Sequence, residues 1–204
     1  MPPTSFDFSA YDRTVIGFHG TDEDAAERLV NGDPFKASDR DMEWFGDGIY
    51  FWEHAPKQAW SWSRKIRKAE KPAVVGALIR LGNCLDLLDS ANILVLKQFK
   101  AEMEEKFKAA GISLPENHRR QMKLDCAVFN LLYKTSDDQG SSIQTARAVY
   151  VPADTRKRIW KGSWISEETH LQICVRNPDN ILAVWHVRPD GRYGRPRKKA
   201  ASEE

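Results

Sequence analysis

The stretch Gly46-Asp47-Gly48-Ile49-Tyr50-Phe51-Trp52-Glu53 limits what this chain can fold into more than any other. Two glycines one residue apart admit backbone angles that side chains forbid, and they let another group come close to the main chain. The apolar run Ile49-Tyr50-Phe51-Trp52 predicts a short buried strand entered from a loop. Pro56 suits the first turn of a helix, predicted over residues 55–68. A ring at the mouth of a glycine loop can stack on a flat ligand. A glycine pair before an aromatic strand is also ordinary turn and core, so this stretch alone does not decide between the two.

A second stretch narrows the choice. Thr14-Val15-Ile16-Gly17-Phe18-His19-Gly20-Thr21 reads as a buried strand over residues 14–18 that ends in a polar His-Gly-Thr corner. A lone histidine at a strand end is usually structural. A His-Gly-Thr corner followed about thirty residues later by Gly-x-Gly-Ile-Tyr-Phe is a far more specific combination. Together the two stretches resemble the first two parts of the His-Tyr-Glu signature of the ADP-ribosyltransferase superfamily, in its poly(ADP-ribose) polymerase and diphtheria-toxin branch. His19-Gly20-Thr21 matches the first motif, and Gly48-Ile49-Tyr50-Phe51 the second. The third motif is a glutamate, or its replacement, at the start of a late strand. Here it falls on Gln172, which opens Gln172-Ile173-Cys174-Val175-Arg176.

The resemblance implies an α+β fold built on a split antiparallel β-sheet, with inserted helices and a dinucleotide in the cleft between the halves. It implies NAD as substrate and no metal. His19 would hydrogen-bond the adenosine ribose, and the Gly20 backbone would pair with the nicotinamide amide. Thr21 would bond the ribose or support His19. Tyr50 would stack on the nicotinamide ring, beside Gly48. Trp60 is the candidate for a second aromatic wall, although the strictly matching position is Ser61. Gln172 can bond the ribose 2′-OH but carries no charge to favour a ribosyl cation, which argues against chain elongation and also against catalysis; family members without the glutamate are linked to single transfer or to lost activity. Glu168 would supply that charge if the strand began earlier. Strand alternation puts His170 and Gln172 on one face. Ser38 and Arg40, in the loop over residues 33–46, compete with Arg147 and Arg176 for the pyrophosphate; each arginine is otherwise expected to pair with a carboxylate.

The implied activity is that of an intracellular, bacterial mono-ADP-ribosyltransferase acting as a toxin or in defence against phage. Its acceptor would be a nucleic acid or a protein, and an antitoxin would be a further partner. Three other readings stay open. One is an NAD glycohydrolase, one is an inactive module that binds NAD or ADP-ribose, and one is an unrelated α+β scaffold with His19 and Tyr50 in its core.

The rest of the chain fits one domain, over residues 14–187, after an irregular lead-in at 1–13 and before a disordered basic tail at 188–204. The 204 residues suffice for a full core. Helices are predicted over residues 23–30, 90–110 and 124–133. Strands are predicted over 73–81, 84–88, 146–151, 171–176 and 180–187. Residues 134–144 read as a polar loop. Asp125 and Asn130 stand inside an apolar helix and need partners there. No Gly-x-Gly-x-x-Gly follows a strand and no P-loop is present, so NAD would not be bound as in a Rossmann domain. Cys84, Cys126 and Cys174 are spaced for neither a redox pair nor zinc, which suits buried thiols in the reducing cytoplasm. Neither a signal peptide nor a membrane span is expected. Net charge is only +2, so the basic clusters Arg119-Arg120, Arg156-Lys157-Arg158 and 195–199 serve as phosphate contacts or simply as solvated faces.

Overall fold

Strand β1 (Thr14–Asp22) carries the centre of the molecule. The computed structural model describes residues 6–40, 43–118, 121–151 and 158–189. The expected tail beyond residue 189, and the clusters at Arg119-Arg120 and Arg156-Lys157, lie outside those residues. After β1 come α1 (Glu23–Val30), β2 (Ile49–Glu53), α2 (Pro56–Lys65), β3 (Pro72–Arg80) and β4 (Cys84–Asp86). The chain continues through α3 (Ser90–Ala109), α4 (Lys123–Asp138), β5 (Thr145–Tyr150), β6 (His170–Val175) and β7 (Ile181–His186). Local chemistry sets several of these boundaries. The Asp22 carboxylate accepts the Ala25 N–H at 2.8 Å and starts α1, with Glu23 and Asp24 favouring the positive end of the helix dipole. Asp89 caps α3 in the same way, and Pro56 opens α2.

The seven strands form one mixed sheet in the order β4-β5-β6-β2-β1-β3-β7. Only β4 and β5 run parallel; the other neighbouring pairs are antiparallel. This is an α+β architecture. Three differences from the sequence expectation have physical causes. The first strand runs through His19, Gly20 and Thr21 to Asp22, because β3 pairs with it residue for residue down to Asp22↔Pro72. His19 is therefore in a strand and not at a corner. Helix α4 extends to Asp138, taking in part of the expected polar loop. The lead-in is not merely irregular: Phe6 and Phe8 are buried in the core beside α3 and α4.

Three apolar clusters hold the layers. One joins α3, α4 and the lead-in to the face of β5 and β6, through Phe99, Phe129, Leu132 and Ala146. A second lies under α2, around Phe18, Trp52 and Ala59. The third contains Ile79 of β3, Ile173 of β6 and Cys84 next to the far edge. β3 ends at Arg80 and the edge strand β4 begins at Cys84, yet the two stand five places apart in the strand order, a span so short a link can cross only if the sheet curls on itself.

A buried ion network fastens that curl. Arg147 of β5 reaches across β6 to Glu53 of β2, with Nε at 2.5 Å and Nη2 at 2.9 Å from its carboxylate oxygens. Its Nη1 donates to Asp86 of β4 at 3.0 Å, and Arg13 approaches the same carboxylate at 2.8 Å. The Arg147 and Glu53 side chains are each only 7% exposed. Breaking such a pair strands a buried charge. Replacing Arg147 with Met is expected to lower unfolding free energy by about 3–5 kcal/mol in urea titration, with a much smaller loss for Arg176→Met, whose guanidinium lies nearer solvent.

Candidate functional site

The sheet nearly divides at its middle. β1 pairs with β3 at every position from Thr14 to Asp22, but with β2 only at Gly17↔Glu53 and Phe18↔Trp52. β2 meanwhile stays with β6 along its full length. Residues from His19 onward therefore diverge from Ile49, Tyr50 and Phe51.

Backbone parity shows what faces the opening. Glu23 N–H donates to Lys71 O towards β3, whereas Ile16 O accepts from His54 N–H on the β2 side. Successive residues of a strand direct their amide and carbonyl to opposite edges. The even-numbered residues of β1 thus face β2, and Gly20 is the first of them beyond the last paired position. Its N–H and C=O point into the gap that β2 has left. The opposing carbonyl, that of Tyr50, accepts instead from His19 Nδ1 at 2.8 Å.

That bond fixes the histidine. The ring stands edge-on to Phe35 and tilted against Phe51, at centroid distances of 5.5 and 5.6 Å. Burial lowers its pKa, outweighing the Tyr50 bond, which raises it. The carbonyl requires a proton on Nδ1, so the neutral ring presents Nε2 as an acceptor. Tyr50 is equally constrained. Its hydroxyl donates to Gly46 O at 2.7 Å and accepts from Phe45 N–H at 3.1 Å. Burial pushes its pKa far up, so the phenol stays neutral and offers its ring, not its proton.

Gln172 stands opposite Trp52 in the β2–β6 ladder, on the same face as Tyr50. The Trp44 indole donates to its Oε1 at 2.5 Å. An indole nitrogen is only a donor, so the Gln172 amide group is turned the other way and offers N–H to anything beside it. Strand β6 begins at His170, so Glu168 stands before the strand and not in it. His170 accepts the Trp52 indole N–H on Nε2 at 3.1 Å and donates from Nδ1 to the Glu168 carbonyl at 2.6 Å. It is neutral by the same logic, and burial lowers its pKa.

Not every expected residue gathers there. His19 and Thr21 lie on the opposite sheet face from Gln172 and Tyr50, joined to them only across the gap. Thr21 is buried, and its carbonyl accepts the Ser63 hydroxyl at 2.5 Å. The close approach at Gly48 is made by β6: a Cβ there would strike Cys174 Sγ. At Gly20 a Cβ would strike the Ala59 carbonyl of α2. Ser38 pairs with Gly48 through both backbone bonds and gives its hydroxyl to Glu43 at 2.8 Å, while Arg40 is exposed. Trp60 is covered by Arg64 at 5.2 Å, and its indole nitrogen is buried without a hydrogen-bond partner. The ring beside Trp52 is Trp62, at 5.8 Å. Arg147 and Arg176 both pair with carboxylates, as one of their two expected readings has it.

The sequence did not single out the residues that shape the glycine loop. Asn130 of α4 accepts the Asp47 N–H at 2.8 Å and donates to Asp47 Oδ1 at 3.1 Å, and Tyr133 donates to Phe45 O at 2.9 Å. The need of Asn130 for a partner was the one available signal. A depression of about 370 Å³ opens on this side of the loop, lined by Asp47, Gly48, Asn130 and Arg176 among others. Arg176 and Lys134 there are paired with Asp137 and Asp138, so it presents no free cation to a phosphate.

The chain is similar to an uncharacterized protein of Methanocaldococcus jannaschii, MJ0359, at 26% identity over 188 residues, covering 83% of this chain and 86% of that one. No family model and no solved structure matches it. Among the described residues no helix is long and apolar enough to cross a membrane.

Both histidines hold their protons less tightly in the folded chain than in the unfolded one. The unfolded chain then binds more protons as pH falls through 6.5, so stability is fully present above that value and declines below it. Asp12 and Asp22 are held below 3.8 and do not titrate in that window. Urea midpoints are expected to drop from about pH 7.5 to about pH 5, less steeply in His19→Gln and His170→Gln.

Proposed function

We propose that this chain is an NAD-consuming mono-ADP-ribosyltransferase with the split-sheet fold of that superfamily. The observation that carries the reading is the parting of β1 from β2 at His19-Gly20, which leaves one strand amide and one carbonyl without a strand partner at the level of Tyr50. A planar carboxamide has one donor edge and one acceptor edge, the complement of those two groups. Nicotinamide is such a group on a flat ring, and Tyr50, with its hydroxyl engaged, has a ring face to stack on it.

The protonation states support the same chemistry. Nicotinamide leaves NAD as a neutral molecule from a cationic bond, so no acid is needed. His19, Tyr50 and His170 are all held neutral. A site of fixed neutral groups suits positioning and stabilisation of a ribosyl cation more than proton transfer. His19 Nε2 would accept a ribose hydroxyl, Gln172 would donate to a ribose oxygen, and Trp62 rather than Trp60 would supply the second ring. The bound ring would also meet Trp44, which stands over Gln172. The acceptor is a nucleic acid or a protein. An activity of this kind directed at its own cell needs restraint, which is the place for an antitoxin if the chain is a toxin or a defence effector.

One observation favours a second reading. Gln172 brings no negative charge to the ribose, and Trp44 already occupies its oxygen, which fits a module that binds NAD without cleaving it. Release of free nicotinamide from NAD separates the two. The transferase releases it when an acceptor is present, a glycohydrolase releases it alone, and the module binds NAD and releases none. Tyr50→Ala is expected to abolish release. Gln172→Glu is expected to raise it by about 10²-fold, because the carboxylate keeps the Trp44 bond and adds charge. No change in that variant would remove Gln172 from the ribose.

A further inference from the structure

The segment between β5 and β6 ends in a narrow hairpin whose order is visible bond by bond. Arg158 and Ser166 form an antiparallel bridge. Ile159 N–H donates to Ile165 O, and Ser163 N–H to Trp160 O, both at 3.1 Å. Ser163 Oγ accepts the Ile165 N–H at 3.0 Å, and Gly162 takes the left-handed turn position at φ 81°. This fixed tip holds Trp160 at 63% exposure and Trp164 at 93%. The other five tryptophans are buried or half-buried. Two large rings held in water on one short turn form a surface that a partner would be expected to cover.

The charges and the shape select the partner. Lys161 lies between the two tryptophans in sequence and Arg158 at the base of the hairpin, both exposed, and residues 158–166 contain no acidic side chain. Ile159 and Ile165 are exposed beside the rings, at 40% and 57%, but a single hairpin turn offers no groove in which an apolar helix could lie. Flat rings separated by a cation match unpaired bases separated by phosphate. A duplex hides its base faces and does not fit.

We propose that this hairpin docks single-stranded nucleic acid, with bases stacked on Trp160 and Trp164 and phosphates at Lys161 and Arg158. The hairpin leads into β6 at His170, and Gln58 Nε2 ties its return to α2 through the Glu167 carbonyl at 3.2 Å. Gln172 follows two residues after His170; that the strand held at the tip is the ADP-ribose acceptor rests on the transferase reading.

The test is fluorescence anisotropy with a labelled single strand of about 12 nucleotides, and its duplex, without NAD. The wild-type chain is expected to prefer the single strand and to lose affinity with added salt. Trp164→Ala and Lys161→Glu are each expected to weaken binding about tenfold or more, with unchanged urea midpoints because both side chains are exposed. Absence of single-strand binding, equal affinity for the duplex, or wild-type affinity in a Trp160→Ala/Trp164→Ala chain would overturn the proposal. Binding is read apart from NAD, so it stands or falls separately from nicotinamide release: binding without release would leave the docking tip and remove the transferase.

Discussion

The hydrogen bond from the His19 imidazole to the Tyr50 carbonyl replaces the backbone bond that a continuous sheet would make at that level. Once a side chain fills the place, β1 and β2 cannot close, and the Gly20 amide and carbonyl are left without a strand opposite them. Unpaired backbone groups are costly when dry. They persist here because β3 holds β1 at every position and β6 holds β2 equally firmly. The gap is therefore a consequence of two strong ladders flanking one weak junction, and it leaves a strand edge unpaired inside a sheet instead of at its rim.

The rest of the molecule keeps the two halves in place. Arg147 pins β5, β2 and β4 through Glu53 and Asp86. Helix α2 presses its backbone onto Gly20, where only glycine leaves room. Helix α4 grips the glycine loop through Asn130 and Tyr133, which sets Trp44 over Gln172. Each functional candidate is held by a neighbour remote in sequence, and the result is a set of neutral groups with fixed donor and acceptor directions. Such a set is suited to holding a ligand still, and it offers little means of moving a proton.

Much of the fold was legible in the residues. The apolar run at 73–81 is nearly all buried, so its strand was plain, and the periodicity over residues 90–110 marked α3. His19, Gly20 and Tyr50 stood out because glycines flank polar and aromatic residues at strand positions where apolar side chains are the rule. The end of β1 was misplaced because polar His-Gly-Thr reads as a turn, whereas pairing with β3 overrides that local preference. Trp44 was passed over, and Asn130 was marked only as needing a partner, for a related reason: their partners are far away along the chain, and nothing near them in sequence identifies the contact.

The sequence by itself determined the alternation of strands and helices, the helix caps, the glycine positions and the identity of the polar groups available for chemistry. These follow from short-range rules of periodicity, sterics and hydrogen-bonding capacity. Only the tertiary structure decided where the sheet parts, which edge of Gly20 is open, which way the Gln172 amide faces and which histidine nitrogen is free. Those depend on which donors and acceptors meet across the fold, and a linear chain does not contain that until its strands have paired.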